Sequence, residues 1–422
     1  MERGSTFIMM SEMNLVIFTT VLLATYTFAQ QAPTIAKLTA SDGVSNAKYG
    51  WSVSMDIDWA VVGQPGSSPS AGYIIFRNAT GPDGWGQWQK VTAWDTTSSI
   101  AFGTAVCVNA TMAAFGAPDF SGAGTSSGAV YVFSRDDTNQ WNPETKLVAS
   151  DATTKAFFGT SVGVSLDYVV VGAPNDPGAG TDSGAVYVFK QNSPGSWTQQ
   201  AKLTSTGIAA GDLFGTSVSI SGTIIAAGAP GAVSTSVDTG AAYVFENTGT
   251  WAQTKKLTGA DSGKGDNFGH SICVSGDFVV VGAPQNAANG GNSGCAYVFS
   301  HDTSPAWGQL RKVTGDDESG GFNFGWSVTI YDGFYVIVGA YGAGTGSSGV
   351  AYVFWRSQDG PDMFGQVSKF IAFDTASSDN YGYSVSISPS YILIGSPLDD
   401  DKGSSSGSAY VYQRMFMQVA CH

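Results

Sequence analysis

The sequence predicts an all-β protein, a seven-bladed β-propeller of four-stranded antiparallel blades whose N-terminal strand closes the last blade. Three observations predict this fold. An aromatic–glycine pair recurs seven times in the 422-residue chain, at intervals of about 55 residues. Each interval holds four short β-rich segments and no segment with helical periodicity. The last unit lacks its fourth segment, and an orphan copy of that segment precedes the first unit.

Four anchors define the repeat. The first is the aromatic–glycine pair, found at Tyr49-Gly50, Phe102-Gly103, Phe158-Gly159, Phe214-Gly215, Phe268-Gly269, Phe324-Gly325 and Tyr381-Gly382. A Gly-x-Pro motif follows, its glycine 13 residues after that of the pair, but the sixth copy has a spacing of 14 and Tyr341 in place of proline. The third anchor resembles Ala-Tyr-Val-Phe, and the fourth is an aromatic residue five positions before a lysine.

The first two segments of each unit have the pattern of buried strands. In the fourth copy, Val218 and Ile220 alternate with Ser217 and Ser219, as in a β-strand. All seven copies place Ser or Ala at the Ser217 position and Val or Ile at the next one. One face is therefore small and the other bulky. The second segment is apolar throughout, which predicts burial on both faces.

The ends of the repeat array predict how the fold closes. A four-stranded unit that is buried on both faces must close on itself or leave an exposed edge, and a propeller leaves only short, protected edges. The segment around Lys37 is the missing fourth strand of the last unit, which ends near Tyr410. We therefore expect these two segments to pair.

The N-terminal region has the pattern of a secretory signal peptide. Residues 15–28 are the only long apolar run, and they are shorter than the roughly 20 residues that cross a bilayer. We expect cleavage near Ala29, with residues 1–29 as the signal peptide and residues 30–422 as a single propeller. An uncleaved anchor is the alternative. No other membrane span is predicted, so we expect a secreted extracellular protein, soluble or associated with the cell surface.

Composition limits the classes of partner. The chain has 19 Lys and Arg against 33 Asp and Glu and a net charge of −14, without the basic clusters that bind nucleic acid. Its four cysteines are too few for a disulfide scaffold. Cys107 and Cys273 occupy the same repeat position, which predicts small strand residues. Asn78 and Asn109 each begin an Asn-x-Thr glycosylation acceptor.

The anchors resemble the FG-GAP repeat, the blade unit of the integrin α-chain head and of many secreted microbial propellers. The resemblance covers residues 34 to 413 and implies a propeller used in extracellular recognition or adhesion. Integrin-type blades often carry a calcium loop, Asp-x-Asp-x-Asp-Gly-x-x-Asp, after the first strand. That loop is missing from this sequence, and its nearest approach is Asp56-Ile57-Asp58. No cofactor is therefore predicted.

Acidic residues recur in the repeat frame. Six units place Asp five residues after the lysine, namely Asp42, Asp95, Asp151, Asp261, Asp317 and Asp374, whereas the remaining one has Gly207. Such a ring of carboxylates suits cations or a polyol ligand, but it equally suits turn capping or pairing with a blade lysine. We favour the structural interpretation. Asp399, Asp400 and Asp401 form the densest cluster, which is either a solvated turn or a weak calcium site.

Positions that vary within a fixed frame are the best candidates for binding. The residue after the aromatic–glycine pair is Trp51, Thr104, Thr160, Thr216, His270, Trp326 or Tyr383 in the seven copies. In a propeller this position lies near the mouth of the central channel, where packing between blades and stacking on a ligand are both open. Trp94 and Phe373 are isolated aromatic residues in loops that should reach the same face. Our ligand-binding hypothesis comprises Trp51, Trp94, His270, Trp326 and Tyr383.

Catalytic signatures are weak. Only His270, His301 and His422 titrate near neutral pH, and none has a carboxylate at a telling spacing. We therefore expect a monomeric, non-catalytic protein that binds an extracellular protein or glycan through its loop-covered face. Two alternatives remain at this point, a propeller hydrolase or lyase that uses rim carboxylates, and a structural matrix or coat protein.

Overall fold

The computed structural model describes residues 34–414, apart from 80–83, 97, 235–236, 359 and 361. The described residues form 30 β-strands and no helix. None of them belongs to a helix long and apolar enough to cross a membrane. The expected signal peptide, Cys421 and His422 lie outside the described residues.

Seven four-stranded sheets form the blades. The first three are blade 1, with β2 (Ser52–Asp56), β3 (Trp59–Gln64), β4 (Ala71–Arg77) and β5 (Trp85–Val91); blade 2, with β6 (Val106–Val108), β7 (Met112–Ala117), β8 (Ala129–Arg135) and β9 (Trp141–Leu147); and blade 3, with β10 (Ser161–Ser165), β11 (Tyr168–Ala173), β12 (Ala185–Ser193) and β13 (Ser196–Leu203). Blade 4 contains β14 (Ser217–Ser221), β15 (Ile224–Ala229), β18 (Ala241–Asn247) and β19 (Trp251–Leu257), with a small separate hairpin, β16 (Val233–Ser234) and β17 (Val237–Asp238), inserted between β15 and β18.

The remaining blades repeat the pattern. Blade 5 contains β20 (Ser271–Ser275), β21 (Phe278–Ala283), β22 (Cys295–Ser300) and β23 (Gly308–Val313), and blade 6 contains β24 (Ser327–Tyr331), β25 (Tyr335–Ala340), β26 (Val350–Trp355) and β27 (Gly365–Phe370). Blade 7 contains β28 (Ser384–Ile387), β29 (Tyr391–Ser396) and β30 (Ser408–Gln413), completed by β1 (Thr34–Leu38). Neighbouring strands in every blade are antiparallel, and the first strands of adjacent blades contact one another around the ring.

The predicted closure is confirmed. Strand β1 pairs with β30 in antiparallel register, with Lys37 opposite Tyr410 and Leu38 opposite Ala409. Leu38 is buried in the same apolar cluster as residues of blade 1 and blade 7. The first strand of the chain therefore joins the last blade and seals its contact with the first.

The second and third strands form the core, as their apolar sequences predict. In β11, Val169, Val170 and Val171 are fully buried, and each packs between its own blade and a neighbour. Burying one such side chain contributes about 1.5–3 kcal/mol. Because this is repeated in all seven blades, the core consists of seven apolar clusters, one between each pair of adjacent blades.

The small-residue position of the first strand forms a hydrogen bond across each seam between blades. Ser217 Oγ donates to the carbonyl oxygen of Gly269 in the next blade at 2.8 Å. Equivalent bonds of 2.7–2.9 Å start from Ser52, Ser161, Ser271, Ser327 and Ser384. The glycine of Gly-x-Pro permits this approach, since a Cβ on Gly228 would lie 1.9 Å from the same Gly269 oxygen. The glycine of the aromatic–glycine pair and the glycine of Gly-x-Pro therefore both lie at the seam between blades.

Antiparallel connections divide the loops between two faces. The loops that follow Gly-x-Pro and the loops that join one blade to the next lie together on one face, which we call the loop face. Hydrogen bonds between these loops, such as Asn46 N to Ser404 O at 2.7 Å and Lys155 N to Thr125 O at 2.8 Å, hold them to each other. The loop face therefore includes the loops of Trp94 and Phe373, which join consecutive blades, as the sequence predicts.

Candidate functional site

A tight turn places one variable side chain per blade at the channel mouth on the loop face. The turn runs from the residue before the aromatic–glycine pair to the residue after it. In blade 6, Trp326 N donates to Asn323 O at 3.1 Å, and Asn323 has a φ of +53°. The aromatic residue, Phe324, is fully buried and fixes the turn to the blade. The flanking residues are only half-buried, so the turn presents them to the channel mouth.

Four adjacent blades bring aromatic side chains together at this position. The His270 and Trp326 rings are 4.2 Å apart, Trp326 and Tyr383 are 5.4 Å apart, and Tyr383 and Trp51 are 4.7 Å apart between centroids. These four residues come from blades 5, 6, 7 and 1. We call this set, together with Tyr341, the aromatic arc. The arc unites four of the five residues of the sequence hypothesis.

Tyr341 was missed by the sequence analysis as a site residue. Its ring lies 4.8 Å from Trp326 and 5.7 Å from Tyr383. It replaces the proline of Gly-x-Pro in the sixth copy, and the same copy has the longer spacing. That double departure from the repeat was the available signal, because a residue that breaks the frame is not needed by the frame.

The opposite half of the channel mouth is different. Blades 2, 3 and 4 place Thr104, Thr160 and Thr216 at the same position, and each hydroxyl donates to the carbonyl three residues earlier at 2.8 Å. The residues before the pair are also apolar there, namely Ala101, Phe157 and Leu213. The mouth is therefore asymmetric, with aromatic rings on one side and threonines on the other.

Polar groups flank the arc. The residues before the aromatic–glycine pair in these blades are Asn267, Asn323, Asn380 and Lys48. No hydrogen bond to the side-chain amides of Asn267 and Asn380 is formed by the described residues. Lys48 Nζ lies 5.0 Å from the Trp51 ring centroid. The arc thus combines flat apolar surfaces with amide donors and acceptors. None of the seven residues before the aromatic–glycine pairs, and none of the seven residues after them, is Asp or Glu.

His270 is neutral at physiological pH. Burial lowers its pKa to about 4, against a smaller opposing effect of its hydrogen bond to the Trp326 carbonyl. The contact of 3.2 Å joins Nδ1 to that carbonyl oxygen, so Nδ1 carries the proton and donates. In the neutral ring Nε2 is consequently an acceptor. His270 therefore contributes a polar but uncharged edge to the arc.

Trp94 is not part of the arc. Its ring packs edge-on against Tyr131 at 4.8 Å and Phe133 at 5.5 Å, and it makes no ring contact with the arc among the described residues. It is 42% exposed in the loop between blades 1 and 2. Phe373, which is 68% exposed, similarly packs on Tyr410. Both lie on the loop face as expected, but each packs on the third strand of the blade that follows its loop.

The six recurring aspartates form a structural element. Each carboxylate accepts a hydrogen bond of 2.7–2.9 Å from the tyrosine of the following blade's third strand. Each is also paired with the lysine of that blade's fourth strand, as Asp42 is with Lys90 at 2.5 Å and Asp151 with Lys202 at 2.6 Å. We call this arrangement the Tyr–Asp–Lys triad. It anchors the loop between two blades to the second of them.

The hydrogen bonds of the triads also lower the pKa of five of the aspartate carboxylates. Partial burial opposes ionisation, but hydrogen bonds from lysine and tyrosine outweigh it and lower the pKa of the carboxylates of Asp42, Asp95, Asp151, Asp261 and Asp317. Groups of this kind remain ionised and paired at neutral pH. The structural interpretation of the acidic ring is therefore the one that the contacts support.

The acidic cluster of blade 7 surrounds a lysine. Carboxylate oxygens of Asp374, Asp399 and Asp401 lie within 4.8 Å of one another, a spacing that suits a metal ion. Lys37 Nζ, however, lies 2.6 Å from Asp374, 3.1 Å from Asp399 and 2.5 Å from Asp401. Its ammonium takes the position that a cation would need. The third member of the sequence candidate, Asp400, accepts a hydrogen bond from Ser405 N at 2.7 Å and so shapes its own loop.

The remaining candidates are dispersed. His301 stacks edge-on against Trp307 at 5.3 Å, and neither His270 nor His301 forms an ion pair with a described carboxylate. Cys107, Cys273 and Cys295 are free thiols. Asn78 is exposed, whereas Asn109 is half-buried and its side-chain oxygen accepts a hydrogen bond from Met112 N at 2.8 Å. Both glycosylation candidates lie on the face opposite the loop face, so glycans there would leave the arc uncovered.

Comparison with known families agrees with this architecture. The FG-GAP repeat matches the chain in seven segments, residues 34–74, 85–133, 141–189, 197–245, 251–299, 307–354 and 364–412. Each matched segment begins with the fourth strand of one blade and ends within the third strand of the next, which is the same offset that places β1 in blade 7. No curated protein matches the chain significantly.

Proposed function

This chain belongs to the FG-GAP repeat family, and on that premise we propose that it is a secreted, non-catalytic recognition protein. Its loop face binds an extracellular protein or glycan, and the aromatic arc is the centre of the binding surface. The apolar N-terminal run and the acidic composition support the extracellular assignment. The observation that carries the proposal is the restriction of aromatic residues to four neighbouring blades.

The restriction of aromatic residues to four blades indicates that they are not there for folding. Blades 2, 3 and 4 build the same turn with threonine, so an aromatic residue is not required at this position for the blade to form. Nevertheless, the arc places four rings and Tyr341 side by side, half-buried at a channel mouth. Aromatic side chains provide large contact areas at little entropic cost and are enriched at recognition surfaces.

The hydrolase alternative has less support. General acid catalysis needs a carboxyl group whose pKa is raised towards neutrality, usually by burial or a like charge. Five of the rim aspartates instead have a lowered pKa and are held in ion pairs with lysine. These five aspartates are thus better suited to holding loops than to moving protons, and the hydrolase alternative would instead have to use Glu318, whose pKa burial raises to about 7.

A binding experiment tests the proposal. The mature protein and a Trp51→Ala/Trp326→Ala variant would be compared on a glycan array and in a pull-down from extracellular fluid, with Trp94→Ala as a control that removes an exposed loop-face tryptophan outside the arc. We expect the double variant to lose at least about tenfold in affinity, as removal of hot-spot aromatics commonly does. The Trp94→Ala variant should bind like the original protein. Equal binding by all three would contradict the proposal.

A further inference from the structure

Blade 4 lacks the carboxylate that the other six blades hold. Strand residues Tyr243 and Lys256 face each other across β18 and β19, as Tyr297 and Lys312 do in blade 5. Lys256 Nζ lies 5.6 Å from the Tyr243 ring centroid, and Lys312 lies at the same distance from Tyr297. Gly207 stands where the aspartate would be. Two of the three groups of the triad are therefore in place without the third.

The tyrosine that remains is left without a partner. Tyr243 is fully buried, and its hydroxyl has no hydrogen bond among the described residues. Burial raises its pKa to about 12, so the group stays a donor. The nearby Ser205 hydroxyl donates to Gln253 Oε1 at 2.8 Å and forms no hydrogen bond with Tyr243. A buried donor in this state costs about 1–3 kcal/mol, which a suitable acceptor would recover.

Lys256, like Tyr243, lacks the carboxylate partner that its equivalents have. Lys256 Nζ has no carboxylate within 4.0 Å among the described residues, and it donates a hydrogen bond to the Val233 carbonyl oxygen at 3.4 Å. In the other six blades the equivalent ammonium is paired with an aspartate. Blade 4 therefore presents an unpaired ammonium beside an unsatisfied hydroxyl.

Gly207 leaves the aspartate position of this loop without a side chain. Its turn is closed by the same kind of backbone bond as in other blades, Ile208 N to Ser205 O at 3.3 Å, but its conformation differs, because Gly207 has a φ of +85°. A Cβ built on Gly207 would meet no atom within 4 Å. Positive φ at the third residue of such a turn is the position that favours glycine. None of the six aspartates has a positive φ.

The nearby carboxylate of Asp212 does not oppose a bound anion decisively. Asp212 is buried and accepts a hydrogen bond from Ala209 N at 2.8 Å. Blades 5 and 7 carry Asp266 and Asp379 at the same position, each with the same kind of backbone bond, beside a complete triad. A second carboxylate is thus tolerated next to this one.

We infer that blade 4 carries a binding subsite for the carboxylate group of a ligand, gripped by the Tyr243 hydroxyl and the Lys256 ammonium as the six aspartates are gripped elsewhere. One oxygen accepts from the hydroxyl and the other from the ammonium, an arrangement of charge-assisted hydrogen bonds. The inference stands on blade 4 alone and does not require the proposed function of the arc. It predicts an acidic component in whatever the loop face binds.

Thermal unfolding in sodium acetate tests the subsite, with sodium chloride at equal ionic strength and acetamide as the uncharged control. Because a ligand that binds only the folded state stabilises it, the Tm of the original protein should rise saturably in acetate by about 1 °C or more. The Gly207→Asp variant supplies the carboxylate internally, so its Tm should not respond to acetate. The Lys256→Met variant should not respond either. A crystal structure grown with acetate should show the carboxylate between Tyr243 and Lys256.

Matched variants separate the possible outcomes. Gly207→Ala carries the same backbone strain at positive φ as Gly207→Asp, but its side chain is too short to occupy the subsite, so it should keep the acetate response. Trp326→Ala should also keep it, so failure of the arc proposal and failure of this one are distinguishable. Glucuronate and N-acetylaspartate then show whether an acidic sugar or an acidic peptide side chain fits better. An equal rise of Tm in chloride, an unchanged response of Gly207→Asp, or only a water molecule on Tyr243 would overturn the inference.

Discussion

Lys37 and Asp374 are 337 residues apart in sequence, and a 2.6 Å ion pair joins them. Lys37 comes from the first strand, whereas Asp374 precedes the last blade. The side chain of Lys37 is only 14% exposed, and although burial opposes its charge, the carboxylates of Asp374, Asp401 and Asp399 raise its pKa above the usual value. The two ends of the repeat array are therefore joined by charge as well as by strand pairing.

Removal of the closing strand should destabilise the whole ring. Deleting residues 31–42 removes β1, the buried Leu38 and the Asp42 carboxylate of the first triad. We expect a loss of more than about 3 kcal/mol in the free energy of unfolding, measured by urea denaturation, since buried apolar area and strand hydrogen bonds are lost together. Lys37→Met, which keeps the strand, should lose only about 1–2 kcal/mol. An unchanged unfolding curve for the deletion variant would show that pairing of β1 with β30 does not stabilise the ring.

Removing a seam hydrogen bond should lower the free energy of unfolding, and adding one should raise it. Ser384→Ala removes the bond from Ser384 Oγ to the Gly50 carbonyl, and we expect a loss of about 1 kcal/mol. Blade 2 has Ala105 at the equivalent position, so Ala105→Ser should add a bond to Gly159 O and gain about 0.5–1 kcal/mol. Denaturant midpoints measure both. Opposite signs for the two substitutions are required, and a loss in both would show that packing rather than hydrogen bonding governs the seam.

His270 should make the protein less stable in mild acid. The unfolded imidazole binds a proton below its ordinary pKa of 6.5, whereas the folded one does so only near pH 4. Stability is therefore lost as the pH falls from 6.5 to 4, by up to about 3 kcal/mol. Glu318, whose pKa burial raises to about 7, acts in the opposite direction, so total stability does not isolate the effect. The comparison with His270→Phe does, because that variant should lack the His270 contribution within this window and match the original slope above pH 7.

The triads should contribute stability that disappears at lower pH. The lowered pKa of Asp95 means that its contribution is complete above the ordinary value of 3.8 and is lost as the pH falls further. Because the pair with Lys146 is partly exposed, we expect Asp95→Asn to cost about 0.5–1 kcal/mol at pH 7 and less at pH 2. Asp119→Asn, an exposed aspartate in a loop of the same blade, serves as the control. An equal cost at both pH values would assign the effect to shape rather than charge.

Much of the fold could be predicted because the evidence was repeated. Alternation around Val218 and the apolar run of Val169 to Val171 recur in every copy, and the misplaced segment around Lys37 identified the closing strand. What the sequence indicated only as a small residue at Ser217 is a specific hydrogen bond across a seam. That bond depends on the distance between blades, which no single repeat encodes.

The candidate site was only partly predictable. Four arc residues were found because they vary at one position of a constant frame, but the frame does not say where a loop side chain points. Trp94 turns towards Tyr131 and Phe133 because it packs on blade 2, which follows its loop. Likewise, the nearness of Lys37 to Asp399 and Asp401 follows from ring closure and not from local sequence.

The pairing of Thr34 with Tyr412 also makes the protein a suitable subject for circular permutation. The first and last described strands are neighbours, so a short flexible linker can join Thr34 to Gln413 without crossing the loop face. New termini opened between the third and fourth strands of another blade would then move the seal to that blade. A functional permutant of this kind would let a fusion partner be attached on whichever side of the ring leaves the binding surface accessible.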